Sequence, residues 1–422
     1  MKTKYLIVGA GISGLTFANY IKDKDYLIIE KESSVGGYCG THYNGDYVWD
    51  YAGHFFHFKT DEFKKKFIDS LSDEDFVTQN KKTYIYFDND LVDYPFQTHI
   101  HQLSKDKFID CLYDLFNKEE KDEYDNFLDM LYGKFGKSIT EMFLKPYNEK
   151  LYAVDLKKLD KDAMGRFFPY ADINSIIHSM KTTEVNSYNS LFLYPKKGAK
   201  VIIDILMKEV DSEKILLNTS ITSIDFENKE ATLSNGTKVK YEKLINTIPF
   251  NCFLRLFNNE KYTNLSNRLT YNKVLVFNLG FNKKSKYNNH HWIYFPDKNI
   301  NFYRIGFYDN ILNSDKLSMY IEIGYNKEAN ITSEEIDNQL KLTLKNLEKC
   351  GIIDNEFELE AYESIVMDPA YVHIDSENDV EVRNTMSELS NLDIYSIGRY
   401  GNWTYCSMED CMVESKKLAE EI

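Results

Sequence analysis

Two arginines lie in aromatic stretches, where a guanidinium needs an anionic partner. Arg166 stands in MGRFFP (164–169). Arg304 follows two aromatic residues in HWIYFPDKNINFYRIGFYDN (291–310), which predicts a hairpin of two aromatic strands around the turn Pro296–Asn299, with Tyr294 and Arg304 on one face of the sheet. An unpaired charge in apolar surroundings costs several kcal/mol. The planar fork of arginine N–H donors matches the oxygens of both phosphate and carboxylate groups. These residues therefore indicate either ion pairs with carboxylates of the chain or a site for a phosphate ligand.

A nucleotide-binding pattern opens the chain. Residues 3–30 contain an apolar run, GAGISG, a helix-like stretch and a second apolar run that ends in Glu30. Gly9 allows a tight turn, Gly11 lets the backbone approach a pyrophosphate, and Gly14 lets the helix pack on the strand. The N-terminus of the helix faces the phosphates, and Glu30 can accept hydrogen bonds from ribose hydroxyls. The pattern predicts binding of an ADP moiety.

A second glycine pair selects the cofactor. Gly36 and Gly37 lie in KESSVGGYCGT (31–41), directly after Glu30. This extension resembles the fingerprint of FAD enzymes of the amine-oxidase and glutathione-reductase type. The alternative interpretation of the glycine pair is a surface turn without a cofactor role. Of the two, we expect FAD binding.

Composition restricts the class of protein. The chain has 422 residues, 43% of them hydrophobic, and a formal net charge of -15. Such a surface argues against broad binding of nucleic acid and against an anionic membrane surface. The six cysteines show no zinc spacing, so we expect no metal, and no apolar run approaches the length of a membrane-spanning helix. The start MKTKYLIVGAG enters a strand without a signal-like region, and we expect a cytoplasmic protein.

The sequence pattern as a whole is that of an α/β protein. Helical periodicity dominates the chain from 101 to 185, and alternating strand patterns dominate from 270 to 390. We predict a discontinuous FAD-binding Rossmann-like domain with a helical insertion domain and an antiparallel β-sheet domain. The predicted boundaries are 1–80, 195–260 and 391–422 for the FAD-binding domain, 101–185 for the helical domain, and 81–100 and 261–390 for the sheet domain that binds substrate.

Further stretches place aromatic residues beside one polar group that could contact a ligand. They are DYAGHFFHF (50–58), DYPFQTH (93–99), FLKPYNEKLY (143–152), NSLFLYP (189–195), DPAYVH (368–373) and GRYGNWTYCSM (398–408). Any one of them could be a core corner or a surface ion pair. In their order and spacing, together with the two arginines, they resemble the UDP-galactopyranose mutase family, most closely its eukaryotic type.

The resemblance implies roles for individual residues. It places Arg166 and Arg304 on the diphosphate, with a ligand anion as the partner of Arg304, and His54 against the isoalloxazine; these three are the candidate catalytic residues. The implied substrate-binding residues are Tyr94, Gln97, Phe143, Tyr147, Asn148, Tyr152, Asn189, Tyr294, Tyr371 and Tyr405. The implied cofactor-binding residues are Gly9, Gly11, Gly14, Glu30, Lys31, Gly37, Gly53, His54, Gly398, Arg399 and Met408. Tyr152 departs from the family, which commonly has tryptophan there, and Ser407 stands where some bacterial relatives have aspartate.

The resemblance also implies the reaction. It is the interconversion of UDP-galactopyranose and UDP-galactofuranose through a covalent adduct of the sugar C1 with N5 of reduced FAD. NADPH or NADH is the expected reductant, although the sequence shows no separate nicotinamide motif. The expected partner is the UDP-galactose substrate, with no nucleic acid and no membrane, and the oligomeric state stays open. Three alternatives remain: a mutase for another UDP-sugar, an amine-oxidase-like oxidoreductase, and a flavin-bearing binding protein without turnover.

Overall fold

The computed structural model describes residues 1–181 and 191–422. Up to residue 93 the elements are β1 (Lys2–Val8), α1 (Ile12–Tyr20), β2 (Tyr26–Ile29), β3 (Thr41–Asn44), β4 (Tyr47–Asp50), α2 (Asp61–Asp69), β5 (Phe76–Asn80), β6 (Thr83–Phe87) and β7 (Asp90–Asp93). A helical stretch follows, with α3 (Lys105–Phe116), α4 (Phe127–Ile139), α5 (Lys145–Tyr152) and α6 (Ile173–Ser179).

From residue 191 the pattern returns to strands and helices. These are β8 (Leu191–Pro195), α7 (Lys200–Met207), β9 (Ile215–Leu216), β10 (Ile221–Asp225), β11 (Glu230–Leu233), β12 (Lys238–Asn246), α8 (Phe250–Leu254) and α9 (Glu260–Arg268). The remaining elements are β13 (Tyr271–Phe281), β14 (Trp292–Tyr294), β15 (Arg304–Phe307), α10 (Tyr308–Leu312), β16 (Ser318–Asn326), α11 (Ser333–Lys349), β17 (Leu359–Val372), α12 (Ser376–Ser390), β18 (Ile394–Ser396), α13 (Gly398–Gly401) and α14 (Met408–Glu421).

The first sheet is assembled from three separated parts of the chain. Its strands run in the order β10-β11-β12-β1-β2-β9, with β18 beside β12. The pairs β12–β1, β1–β2, β2–β9 and β12–β18 are parallel, whereas β10–β11 and β11–β12 are antiparallel. This arrangement confirms the predicted α/β fold with a discontinuous nucleotide-binding sheet.

Both faces of this sheet are covered, which explains the continuous apolar run of β1. Ile7 packs with residues of α1, α7 and α14 on one face, and Leu6 and Val8 pack with residues of α8, α9 and α12 on the other. Parallel strands covered on both faces read as unbroken hydrophobic runs. The chain therefore brings α1 and α14 onto the same face of β1.

The second sheet is mainly antiparallel and carries the hairpin. Its order is β17-β13-β16-β15-β14-β6-β7, and among these pairs β14–β6 is parallel. Tyr294 on β14 lies directly opposite Arg304 on β15, which confirms the expected register. Phe302 and Tyr303 precede β15 and lie in the loop between the two strands.

No helix within the described ranges is long and apolar enough to cross a membrane.

A buried histidine ties β14 to β6 and makes stability depend on pH. His291 is 2% exposed, and its Nδ1 accepts the backbone N–H of Lys82 at 2.9 Å. Burial lowers the pKa of His291 from 6.5 to about 4, with the charges of Lys82 and His290 acting in the same direction. The imidazole is therefore neutral at pH 7, as the accepting Nδ1 requires.

We expect His291→Asn to reduce the loss of stability in acid. Because the folded pKa lies below the unfolded one, stability is present above about pH 6.5 and is lost as pH falls toward 4. At ~1.4 kcal/mol per pKa unit, this group accounts for about 2 kcal/mol between pH 7 and pH 5. An asparagine oxygen can accept the Lys82 N–H without titrating. Urea unfolding at both pH values measures the difference, with the exposed His178→Asn as the control; equal losses in wild type and His291→Asn would contradict the assignment.

Candidate active site

The glycine motif forms a cradle at the start of α1. Gly9 has φ +103°, and a Cβ on Gly14 would overlap the carbonyl oxygen of Gly9. A Cβ on Gly11 would meet no protein atom within 4 Å. Gly37, at φ +54°, lies next to this open space, because Gly36 forms a β-bridge with Gly11. The backbone therefore leaves room for a pyrophosphate in front of the helix N-terminus.

Glu30 lies at the end of β2, as a ribose-binding acid would. It is 7% exposed, and its carboxylate accepts the backbone N–H groups of Ala10 at 2.8 Å and Glu32 at 2.9 Å. These bonds fix the carboxylate beside the glycine turn while each oxygen keeps a further acceptor site. Lys31, also expected at the cofactor, is exposed and pairs with Glu32 at 3.4 Å.

His54, Gly53 and Gly398 are the next residues expected at the cofactor. The Nδ1 atom of His54 is buried and finds no hydrogen-bond partner among the residues that the structure describes. Burial and the nearby Arg399 lower the pKa of His54 to about 4, so the ring is neutral at pH 7. A Cβ on Gly53 would overlap the hydroxyl of Tyr320, and Gly398 has φ +79°. A buried polar atom without a partner fits a bound group that supplies one.

A first group of tyrosines surrounds the hairpin. The ring of Tyr294 lies 5.0 Å from that of Tyr94 and 5.0 Å from that of Tyr147, between centroids. Phe143 stacks on Tyr147 at 5.2 Å. Burial holds the pKa of Tyr94 and of Tyr147 well above 10, so both hydroxyls remain protonated donors at pH 7.

A second group surrounds Arg399. Its guanidinium lies over the ring of Tyr405 at 4.6 Å and over that of Tyr371 at 5.1 Å. The rings of Tyr371 and Tyr405 stack at 5.7 Å, and Tyr152 meets Tyr371 edge-on at 6.2 Å. The structure thus brings together tyrosines that the sequence places more than 200 residues apart.

Arg304 connects the two groups, and its partner corrects the sequence-based expectation. Its Nε and Nη2 each lie 2.6 Å from a carboxylate oxygen of Glu322, directly opposite on β16. Burial opposes the charge, but the Glu322 carboxylate raises the pKa of Arg304 well above its usual range. The expectation that Arg304 awaits only a ligand anion is therefore wrong, because a protein carboxylate already holds it. The pair engages Nε and Nη2 of the guanidinium.

Arg166 also has a protein partner. Its guanidinium pairs with Asp410 in the first turn of α14 and lies over the ring of Phe167 at 4.9 Å. The arginine side chain is 41% exposed. It lines a cleft together with residues from two other predicted motifs, including His57 and Met408. Met408 is the first residue of α14, and Ser407 caps that helix by accepting the N–H of Asp410.

Two buried amides present unused acceptors near the first group of tyrosines. Gln97 donates to the carbonyl of Pro169, and Asn148 donates to the carbonyl of Leu144 at 2.6 Å. The Gln97 Oε1 and Asn148 Oδ1 atoms are buried without a partner within residues 1–181 and 191–422. Asn189, the remaining predicted residue, lies outside the described residues.

Sequence reasoning missed two charged residues of the site. Glu322 could have been found, because it is a lone acid between apolar residues in SMYIEIGY (318–325). Lys150 gave no such signal: its Nζ donates to the carbonyl oxygens of Phe295 at 2.8 Å, Asp297 at 2.9 Å and Phe302 at 2.5 Å. It thereby holds the loop of the hairpin against α5.

Comparisons with known proteins define the class. The model of the flavin-containing amine oxidoreductase family matches residues 12–358. The chain belongs to this family, and its cofactor is FAD, which the glycine cradle, Glu30 and the orphaned His54 Nδ1 fit.

Individual relatives are more distant. A crystal structure of reduced UDP-galactopyranose mutase superposes with a TM-score of 0.92 at 21% identity, over 100% of this chain and 94% of the other. A protein of Exiguobacterium sp. 255-15 with a provisional assignment as protoporphyrinogen oxidase gives a TM-score of 0.74 at 16% identity, over 99% and 98% of the two chains. The protoporphyrinogen oxidase of Dictyostelium discoideum is 27% identical over 154 residues, 34% of this chain. That match spans 27% of the oxidase.

Proposed function

We propose that the protein is a UDP-galactopyranose mutase, an isomerase that interconverts UDP-galactopyranose and UDP-galactofuranose in the cytoplasm. The observation that carries this proposal is Arg304, which Glu322 holds through Nε and Nη2 and which is flanked by the two groups of tyrosines. Such donors suit a diphosphate that must stay bound while its bond to the sugar is broken and remade. The likeness of the fold to the mutase structure supports the same reaction.

The arginines and three of the tyrosines are proposed to bind the diphosphate. The guanidinium of Arg304 and the hydroxyls of Tyr294, Tyr371 and Tyr405 hold the diphosphate and stabilise its charge as it leaves. Arg166 contributes a second guanidinium when its exposed pair with Asp410 opens. Breaking this ion pair costs little free energy, because solvent-exposed ion pairs contribute only about 0–1 kcal/mol to stability.

The two unused amide oxygens suit the nucleoside. One of the oxygens Gln97 Oε1 and Asn148 Oδ1 can accept the single N3–H of uracil and the other a ribose hydroxyl, and Tyr94, Phe143 and Tyr147 supply the surrounding ring surface. Tyr152 offers less stacking surface than the tryptophan common in the mutase family. Asn189, outside the described residues, is proposed as a further contact to the sugar or the flavin.

FAD would be held by Gly9, Gly11, Gly14, Gly37 and Glu30 at the nucleotide end. When bound in its reduced form, it supplies the nucleophile toward the anomeric carbon of the sugar. His54, Gly53, Gly398, Arg399 and Met408 would contact the flavin end, and the neutral His54 can exchange one hydrogen bond through Nδ1 without adding charge. We propose NADPH or NADH as the reductant.

A binding series tests the diphosphate site. Titration calorimetry with UDP, UMP and uridine should give affinities that fall in that order. Charge-assisted hydrogen bonds contribute ~1.5–3 kcal/mol each, so UDP should bind at least roughly tenfold more tightly than UMP. ADP is the control for the nucleoside. Equal affinities for UDP and uridine would contradict the proposal.

The second candidate is an amine-oxidase-like oxidoreductase, which the family match and the two protoporphyrinogen oxidase relatives favour. It predicts oxygen consumption with an amine or a porphyrinogen and no requirement for Arg304. A mutase for another UDP-sugar would share the UDP affinity and differ in the sugar converted.

A further inference from the structure

A pair of thiols lies at the N-terminus of α14, outside the roles assigned above. The Sγ atoms of Cys406 and Cys411 are 3.6 Å apart. Ser407 is the N-cap residue, and Ser407 and Asp410 form a reciprocal capping box. Cys406 therefore occupies N′ and Cys411 occupies N4, the two positions whose side chains commonly form an apolar contact across the first turn. In this chain the contact is made by two sulfurs, which can also form a covalent bond.

The thiols differ in their environment. Cys406 is half-buried and Cys411 is 5% exposed. Either sulfur can donate its S–H to the other. The contact with Cys406 lowers the pKa of the Cys411 thiol and burial opposes this, while the Arg399 backbone and the Ser13 hydroxyl act in the same direction as Cys406. A thiol at a helix N-terminus is favoured as thiolate. Cys411 lies 3.6 Å from Cys406, the sulfur that an external molecule can approach, and is therefore within reach of a group bound there.

We propose that Cys406 and Cys411 form a reversible intramolecular disulfide by exchange with a small-molecule disulfide. Exchange at Cys406 gives a mixed disulfide and releases one small thiol. The Cys411 thiolate then attacks the Cys406 sulfur, the protein disulfide forms, and the second small thiol leaves. In the net reaction two protein thiols and one small disulfide give one protein disulfide and two small thiols. The two electrons and two protons lost by the cysteines are therefore carried by the products.

The Cys406–Cys411 disulfide would change the geometry of the candidate active site. A disulfide has an S–S length of about 2.05 Å, so the sulfurs must approach by about 1.5 Å. Cys406 cannot move alone, because its carbonyl accepts a hydrogen bond from Arg399 at 3.3 Å and Tyr405 precedes it. Tyr405 packs on Tyr371 and beneath Arg399. Oxidation would thus alter the geometry of Tyr405 and Arg399.

Disulfide mapping tests the proposal. The FAD-bound Cys252→Ser protein, which lacks the exposed thiol, is incubated with oxidised glutathione, alkylated, digested and analysed by mass spectrometry. We expect a 406–411 disulfide, reversed by dithiothreitol, and a shift of the flavin absorbance band on oxidation that is absent from Cys252→Ser/Cys411→Ser. The same mapping on the wild-type protein requires no variant to fold.

Three outcomes would overturn the inference. One is the recovery of both cysteines as free thiols after oxidation, and another is a disulfide between Cys411 and the buried Cys39. The third is a 406–411 bond that leaves the flavin band unchanged, which would remove the connection to the site. None of these readouts depends on whether the protein converts UDP-galactose.

Discussion

Replacement of Arg304 by alanine is expected to lower kcat/KM for UDP-galactofuranose by roughly 10²–10³-fold while FAD stays bound. The magnitude is that typical for the loss of one preorganised donor to a developing negative charge. FAD should stay bound because the glycine cradle and Glu30 belong to a different sheet. Steady-state assays of the reduced protein and the flavin-to-protein absorbance ratio measure the two effects.

The contact with Glu322 means that Arg304→Ala also affects stability, so a control variant is needed. Alanine leaves Glu322, whose side chain is 2% exposed, without its bidentate partner. Breaking a buried pair in this way costs roughly 3–5 kcal/mol of stability. The double variant Arg304→Gln/Glu322→Gln can form an amide pair without a buried charge, and we expect it to regain most of that stability but not the activity. Wild-type turnover by the double variant would contradict a role for the guanidinium.

Gly11→Ala is expected to weaken FAD binding without disturbing the fold. The added Cβ meets no protein atom within 4 Å, and Gly11 has φ -79°, which alanine adopts freely. The methyl group would instead occupy the space for the pyrophosphate. Overpacking of this kind costs ~1–3 kcal/mol, so FAD affinity should fall roughly tenfold or more.

A neighbouring glycine provides the matched comparison. In Gly14→Ala the added Cβ overlaps the Gly9 carbonyl, so α1 must move away from β1 and the apoprotein itself should be less stable. Thermal unfolding of the two apoproteins and fluorescence titration with FAD separate the effects. Gly11→Ala with wild-type FAD affinity would show that the cofactor does not approach this turn.

The parts of the fold that depend on local pattern could be predicted from the sequence. The glycine spacing and Glu30 predicted the position of the cradle. The turn at Pro296–Asn299 predicted the hairpin, in which Tyr294 lies opposite Arg304. These features depend on neighbours within about 20 residues. Residue types and short-range periodicity are sufficient for such predictions.

Contacts between distant segments could not be predicted in the same way. The pairing of Arg304 with Glu322 depends on the register of β15 against β16, which the sequence does not specify without knowledge of the intervening α10 and its loops. The pairing of Arg166 with Asp410 joins residues 244 positions apart. For both arginines, the carboxylate alternative considered from the sequence is the one that the structure shows.

The most direct test of the proposed function is redox-controlled conversion of the substrate. Purified FAD-bound protein is reduced with dithionite under anaerobic conditions, mixed with UDP-galactofuranose, and the products are separated by chromatography beside an oxidised sample. We predict UDP-galactopyranose from the reduced sample only, with no net oxidation of the sugar. Unchanged substrate in both samples, from protein that binds FAD and UDP, would contradict activity on this sugar.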